Sequence, residues 1–258
     1  MLLKISDLNI LYGEKIVVNN VNFELNAGER LAIVGESGSG KTTLICACLG
    51  VLQGDGRICK GDILCNGKNL VKFTESDWKK IRGKEIAMIF QDGGSVLNPV
   101  HTIGKQFIEY IRLHSDVDNE TAYITAVDML KKMNLPNPKT IMNSHIAELS
   151  GGMRQRVGIA MAILFKPKLL LADEPTSALD ATTQAQILKE LAKITESAMI
   201  IVTHNIGVAA YLCDKIMVLQ NGSVKEYGTT EDVLKNPKSD YTKTLLSATP
   251  EIGEKRYV

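Results

Sequence analysis

The feature that most limits what this chain can fold into is the stretch Gly35-Glu36-Ser37-Gly38-Ser39-Gly40-Lys41-Thr42, set between the apolar run Leu31 to Val34 and a second one from Leu44 to Leu52. A G-x-x-x-x-G-K-[ST] pattern between a strand and a helix is a phosphate cradle, and each fixed position has a chemical reason. Gly35, Gly38 and Gly40 let the backbone turn through φ > 0 and approach an anion with no Cβ in the way. The N–H groups from Gly38 to Thr43, with Ser37 and Ser39 between the glycines, face a helix start where the dipole favours negative charge. Lys41 brings a mobile cation to the outer phosphates, and Thr42 offers a hydroxyl to Mg²⁺.

What surrounds the loop is bounded by charge and hydropathy. A formal net charge of +1 gives no reason to expect a polyanionic partner such as nucleic acid. The longest apolar run, Val157 to Phe165, is about half the roughly 20 residues a spanning helix needs, so no transmembrane segment is expected. Met1 to Asp7 breaks its apolar run at Lys4, so no signal peptide is expected either. Cys46, Cys48, Cys59, Cys65 and Cys213 lack paired C-x-x-C spacing and read as reduced, buried thiols.

Leu3 to Ile10 and Ile16 to Leu25 carry the alternation and β-branched content of strands, joined by a turn at Tyr12 to Lys15. Tyr12 reads either as a half-buried strand end or as a stacking platform for a nucleobase. Arg57 to Leu64 is a further strand, and Asn66-Gly67 a tight turn, so antiparallel β structure is expected beside the phosphate loop. Glu85 to Phe90 is a buried-strand pattern that delivers Gln91 to the strand end, where ligands of open α/β sheets collect. Gly93-Gly94 and Asn98-Pro99 then predict a mobile connection. Ile103 to Leu113 and Glu120 to Met133 are helical, with Pro136 and Pro138 stopping the second helix.

Two later clusters carry chemistry. Ser150 is placed to cap the helix that follows Leu149-Ser150-Gly151-Gly152, leaving a positive helix end for a second anion. The strand Leu169 to Pro175 ends in two adjacent acids, which are costly unless a cation or a reaction uses them. Asp173 is positioned to hold Mg²⁺ through water and Glu174 to polarise an attacking water. Ser177-Ala178-Leu179-Asp180 precedes a helix of roughly Thr183 to Ile194. The strand Ala198 to Thr203 ends at His204, a strand-end position like those of Gln91 and Glu174.

With these motifs in this order, the chain resembles the nucleotide-binding subunits of ABC transporters from about Leu3 to Pro250. The matching motifs are Walker A (Gly35 to Thr42), the Q-loop (Gln91), the signature (Leu149 to Gly152), Walker B (Leu169 to Asp173) with Glu174, the D-loop (Ser177 to Asp180) and the switch His204. The resemblance implies an α/β fold: a RecA-like P-loop NTPase core with antiparallel β over 1–91 and 166–225, an inserted helical subdomain over 92–165, and a C-terminal helical tail over 226–258. It also implies ATP sandwiched head to tail between two subunits, so that Ser150, Gly151 and Gly152 serve the partner's nucleotide and Asp180 lies at the same interface. Catalytic roles fall to Glu174 (base or water-orienting group), His204 (γ-phosphate contact), Gln91 (Mg²⁺ or lytic water) and Lys41.

Within the family, Gly83 to Asp92, Leu97 to Val100 and Leu149 to Val157 resemble peptide/nickel importer ATPases. The Met153-Arg154-Gln155-Arg156 form is similar to the subunit type that pairs with a second, different ATPase. That implies a heterodimer on two integral-membrane permease subunits at the cytoplasmic face of the membrane, fed by an extracytoplasmic substrate-binding protein. Two departures stand out. Asp92-Gly93-Gly94 lacks the proline of many relatives, which predicts a more mobile loop. The tail Asn236 to Pro250 carries Lys238-Ser239-Asp240 where relatives have a compact His-Pro-Tyr-Thr, leaving its role open, and the short end leans toward nickel or metallophore cargo with peptides nearly level. The second functional class is a soluble ABC ATPase acting on ribosomes or DNA. Against it stand the short Gln91 to Ser150 interval, the single cassette and the near-neutral charge.

Overall fold

The apolar runs of the sequence lie side by side as strands. The computed structural model describes residues 1–177 and 179–248. Its first part runs β1 (Leu3–Tyr12), β2 (Lys15–Leu25), β3 (Arg30–Val34), α1 (Lys41–Leu49), β4 (Arg57–Cys65), β5 (Lys68–Asn69), α2 (Glu75–Ile81) and β6 (Ile86–Ile89). The middle holds α3 (Ile103–His114), α4 (Asn119–Lys132), α5 (Pro138–Asn143), α6 (Gly151–Ile163), β7 (Leu169–Asp173) and α7 (Ala181–Ala192). The last part is β8 (Ala198–Thr203), α8 (Ile206–Leu212), β9 (Lys215–Gln220), β10 (Ser223–Thr229), α9 (Thr230–Lys235) and α10 (Asp240–Ser247). Ala178 of the expected D-loop and 249–258 of the expected tail lie outside the described residues. The described residues divide into two compact units, Met1–Lys80 with 197–248, and Ile81–Glu196.

The first unit holds two kinds of sheet. The antiparallel strands follow the order β2-β1-β4-β5, in the region where the alternating pattern predicts them. Leu3, Ile5, Leu8 and Ile10 of β1 and Val18, Val21, Phe23 and Leu25 of β2 form the buried face. Asn66 (φ 49°) and Gly67 (φ 75°) make the turn into β5 with both residues left-handed, as a two-residue hairpin requires. The other strands centre on β3, which pairs in parallel with β8 on one side and β9 on the other, while β10 returns antiparallel to β9. Leu31–Val34 and Ala198–Thr203 are buried throughout. Parallel strands covered on both faces need such uninterrupted apolar runs, and each buried Leu, Ile or Val side chain contributes about 1.5–3 kcal/mol.

In the second unit β6 and β7 pair in parallel, Ile89 opposite Ala172. The helices around them are capped from the sequence: Thr102 accepts from Lys105 N (3.3 Å) at α3, and Asp118 from Thr121 N (2.8 Å) at α4. Phe107, Ile111, Ala122, Ala126, Leu130, Ile141 and Met142 supply the apolar centre of α3, α4 and α5. Pro138 departs from the expectation that it ends a helix. α4 stops at Lys132, Asn134 turns left-handed (φ 52°), and Pro138 opens α5. Its fixed φ and missing N–H suit a helix's first turn. Among the described residues of 92–165 the β structure is a single bridge, Thr102 to His145. The cysteines are free and four are buried, with burial pushing the Cys213 thiol up to about 12 and Cys48 further. Cys59 is the exception to the buried reading, since it lies on an exposed part of β4.

Candidate functional site

In the first unit the loop between β3 and α1 is built by close backbone contacts. A Cβ on Gly35 would lie 2.1 Å from Leu219 O, so this position closes against β9 only as glycine. Ser39 O accepts from Gly222 N (3.0 Å), at the turn joining β9 and β10, and Gly222 O accepts from Asn19 N (2.8 Å) of β2. Lys41 is buried at 5% exposure, and its Nζ donates to Gly35 O (2.8 Å) and Glu36 O (2.7 Å). The lysine is thus folded back over its own loop, with its ammonium held above the residues that turn around an anion.

α1 starts at Gly40 in the left-handed conformation (φ 98°), with no side-chain cap and no acidic residue in its first turn. Its positive end therefore faces no carboxylate of its own turn, the condition that favours an external anion. Ser37, Gly38 and Thr42 are exposed, Thr43 half-buried, and Ser39 and Gly40 buried. Val34 lies opposite Thr203, so the next residues out, Gly35 and His204, stand at the same carboxyl end of adjacent strands. His204 is exposed there. Tyr12 closes β1, half-buried, with its ring packed where a Cβ on Gly56 would come within 2.8 Å of Cε1 and Cζ.

In the second unit the register of β6 and β7 brings Gln91, Asp173 and Glu174 to one end of the strand pair. Asp173 is buried and closes β7, while Glu174 leaves the strand with φ 43°. A left-handed conformation at a glutamate is uncommon and marks a position that the surrounding turn dictates. Here Ser177 donates from both its N–H and its hydroxyl to Glu174 O, each at 3.2 Å.

The stretch after Gln91 is seated on α6, contrary to the expectation of a mobile glycine connection. Gln155, 3% exposed, accepts from Gly93 N through Oε1 (2.7 Å) and donates from Nε2 to Phe90 O (3.0 Å). One amide side chain thereby bridges the backbone on both sides of Gln91 and Asp92. Gly93 is glycine for close approach: its Cβ would stand 2.7 Å from Arg154 O. That side chain satisfies the buried Gly93 N–H and the half-buried Phe90 carbonyl, and leaving the buried N–H without a partner costs about 1–3 kcal/mol.

Ser150 caps α6 as expected, its Oγ accepting from Met153 N (3.3 Å), and the first turn of α6 carries no acid. Gly152 abuts the start of α7, where a Cβ would come 2.5 Å from Thr183 Cγ2, and Gly151 faces Leu179. The signature and the D-loop are therefore neighbours. Asp180 caps α7, its Oδ1 accepting from Thr182 N (3.1 Å) and Thr183 N (3.0 Å). The hydrogen bond from Thr183 N, foremost, holds this carboxyl below the usual aspartate range. Gly222 supports the phosphate loop and Gln155 the Gln91 stretch, although the sequence pattern marks neither. An Asn221-Gly222 turn dipeptide was the available signal for one of them; Gln155 offered none, since its partners lie 62 and 65 residues away.

A strand, a glycine loop and a helix, with the loop's lysine turned back upon it at the carboxyl end of parallel strands, define the core of a P-loop ATPase. A family model described as "ABC transporter" matches residues 18–177, and the chain belongs to that family. It is similar to the oligopeptide transport ATP-binding protein OppD of Haemophilus influenzae, 46% identical over 93% of this chain and 75% of the relative. OppD of Bacillus subtilis is 43% identical over 97% of this chain and 72% of the relative. Among solved structures, an ATP-binding cassette captured as a dimer after hydrolysis with ADP and Pi superposes with a TM-score of 0.78 at 28% identity, covering 88% of this chain and 98% of that one. The fold is that of the ABC ATPases, and the activity is ATP hydrolysis.

Proposed function

We propose that this chain is one of two ATPase subunits driving an importer for peptides, and that the residues gathered in its two units act on MgATP. The observation that carries the reading is the Lys41 loop at the carboxyl end of β3, with His204 beside it at the end of β8. The phosphates lie along Gly35 to Thr43, Lys41 meets the outer ones, His204 contacts the γ-phosphate, and Tyr12 stacks on the base. Thr42 and Asp173 offer a hydroxyl and a carboxylate, hard oxygen donors of the kind Mg²⁺ takes together with waters and phosphate oxygens. Among the described residues no three His, Cys, Asp or Glu side chains gather as a ligand cage, and a Mg²⁺ that arrives with its nucleotide needs none. When bound, the ion neutralises charge building on the phosphates.

In the reaction a water oxygen bonds to the γ-phosphorus as the bond to the β-phosphate bridging oxygen breaks, leaving ADP and phosphate. Glu174 orients that water and takes its proton, and Gln91 holds the water or the ion in line. Ser150, Gly151 and Gly152 present the uncharged start of α6 to the nucleotide of a second ATPase subunit, with Asp180 at the same interface. The partner is a different ATPase chain, and the pair works on two permease subunits at the cytoplasmic face of the membrane, supplied by an extracytoplasmic binding protein. In this reading 1–250 is one ATPase domain with 92–165 as its inserted helical part. Among the described residues no helix is long and apolar enough to cross a bilayer. The relatives named for oligopeptide transport favour peptide cargo over nickel.

Glu174→Gln tests the chemistry. It should keep MgATP binding, lower hydrolysis in the paired complex by about 10²–10⁴-fold and accumulate the ATP-bound dimer on gel filtration. Normal turnover in that variant would sink the assignment. Capture with ribosomes or DNA in place of two hydrophobic permeases would overturn the transport reading.

A further inference from the structure

The tail beyond β10 has no part in the function just described, yet it reaches the phosphate loop. The Tyr241 hydroxyl, near the start of α10, accepts a hydrogen bond from Glu36 N at 3.2 Å. That N–H belongs to the Gly35–Glu36 peptide, whose carbonyl, Gly35 O, accepts from Lys41 Nζ at 2.8 Å. The two polar groups of a trans peptide point to opposite sides of the chain. One peptide plane of the loop is thus pinned from one side by the lysine that serves the phosphates and from the other by the tail tyrosine.

The tyrosine is itself delivered by a built contact. Glu226 on β10 accepts from Lys238 N (2.9 Å) and Ser239 N (3.0 Å), which ties down the turn leading into α10. The next turn of the same β9–β10 hairpin donates Gly222 N to Ser39 O, so one hairpin holds the loop directly at Ser39 and, through α10, at Glu36.

We propose that Tyr241 is a positioning residue through which the C-terminal helix sets the affinity of the phosphate loop for MgATP. Tyr241 does not touch the nucleotide; it fixes the peptide that orients Lys41. The inference rests on the reading of Gly35 to Thr43 as the ATP phosphate site.

The test is calorimetric titration of the full chain with MgATP, alongside thermal unfolding and steady-state hydrolysis in the assembled complex. Tyr241→Phe removes one hydroxyl and keeps the ring. It should raise the Kd and KM for MgATP about threefold to tenfold, the span of one net hydrogen bond, with kcat and Tm unchanged. Glu226→Gln, which replaces a charged acceptor by a neutral one, should shift Kd the same way. The double variant should be no worse than the stronger single one, because both act through a single contact. A Kd within twofold of the parent in Tyr241→Phe overturns the proposal, as does a fall in Tm with Kd unmoved. Lys41→Ala separates the two levels: if it binds MgATP normally, the phosphate-site reading falls and this one with it. If Lys41→Ala loses binding while Tyr241→Phe keeps it, only the positioning role falls.

Discussion

The loop at 35–43 and the stretch around Gln91 both place a polar side chain at the end of a buried parallel strand, but they are secured in different ways. The phosphate loop is held by backbone against backbone. Gly35 lies on Leu219 O, Ser39 O is bonded to Gly222 N, and Lys41 reaches back to two carbonyls of its own turn. The Gln91 stretch rests on one side chain, Gln155, with Gly93 pressed onto α6 beside it. Main-chain contacts fix most of the loop, with Lys41 and Tyr241 the side chains that reach its first peptide, which suits a site that must fit the same phosphates every time. A side-chain clasp can be released by a rotamer change, which suits a segment that has to respond to a partner.

Breaking the backbone-built side should have the largest effect. In Gly35→Ala the new Cβ meets a carbonyl oxygen of a buried strand at 2.1 Å, and neither side is a flexible side chain that can give way. Overpacking of this kind costs about 1–3 kcal/mol in stability, and the loop can escape it only by moving off β9. MgATP binding should drop by more than about 100-fold, the scale on which loss of a preorganised phosphate contact is felt, with a lowered Tm. Calorimetry and thermal unfolding on the same sample check both. Near-normal binding would mean that the loop is softer than its packing indicates.

The difference between the two regions also separates what could be read in the sequence from what could not. Leu31–Val34 and Ala198–Thr203 are recognisable as β3 and β8 because a strand buried on both faces has no choice but to be apolar throughout, and Asn66-Gly67 marks a hairpin because few other pairs accept two left-handed residues. The lysine loop, Ser150 and the acids at the end of β7 announce themselves for the same reason: their chemistry is local. Gln155 and Gly222 are illegible because what they do is defined by groups far away in sequence, and nothing in M-R-Q-R says which residue turns inward. Gly93 is ambiguous for the same reason. A glycine that loosens a chain and a glycine that lets two backbones touch look identical until the neighbour is known, and here the neighbour is Arg154 O. Pro138 is the corresponding case for helices, being as good an opener as a breaker.

Releasing the side-chain clasp should have an intermediate effect of a different kind. Gln155→Ala removes the partner of Gly93 N and of Phe90 O together, and the stretch carrying Gln91 loses its seat. MgATP binding to the isolated chain should stay within about twofold, while hydrolysis in the assembled complex falls roughly tenfold, the cost of about 1.4 kcal/mol in positioning. Gln155→Glu supplies an internal check, since it keeps the acceptor for Gly93 N and loses the donor to Phe90 O. Its rate should lie between parent and alanine variant. Should Gln155→Ala weaken binding as much as it slows turnover, the two regions would not be separable in the way proposed.

The smallest effect concerns Ser150, where a structural and a functional duty fall on one hydroxyl. As a cap, its Oγ accepts from Met153 N at 3.3 Å. Losing a serine cap costs about 0.5–2 kcal/mol, and a domain of this size loses roughly 2–4 °C of Tm per kcal/mol. Ser150→Ala should therefore melt a few degrees early. Asparagine caps as well as serine does, so Ser150→Asn should restore the Tm while still lacking the hydroxyl. If the hydroxyl also meets a partner subunit's phosphate, both variants should slow hydrolysis in the complex alike despite their different melting temperatures. Equal Tm in parent and alanine variant would remove the cap, and a rate that simply follows Tm would remove the phosphate contact. Because α6 carries Gln155 just beyond its first turn, a frayed start in Ser150→Ala would also loosen the clasp on Gln91. The rate in Ser150→Ala should then fall slightly below that in Ser150→Asn, and that residual gap measures how far the signature end of the helix and the Gln91 stretch are coupled.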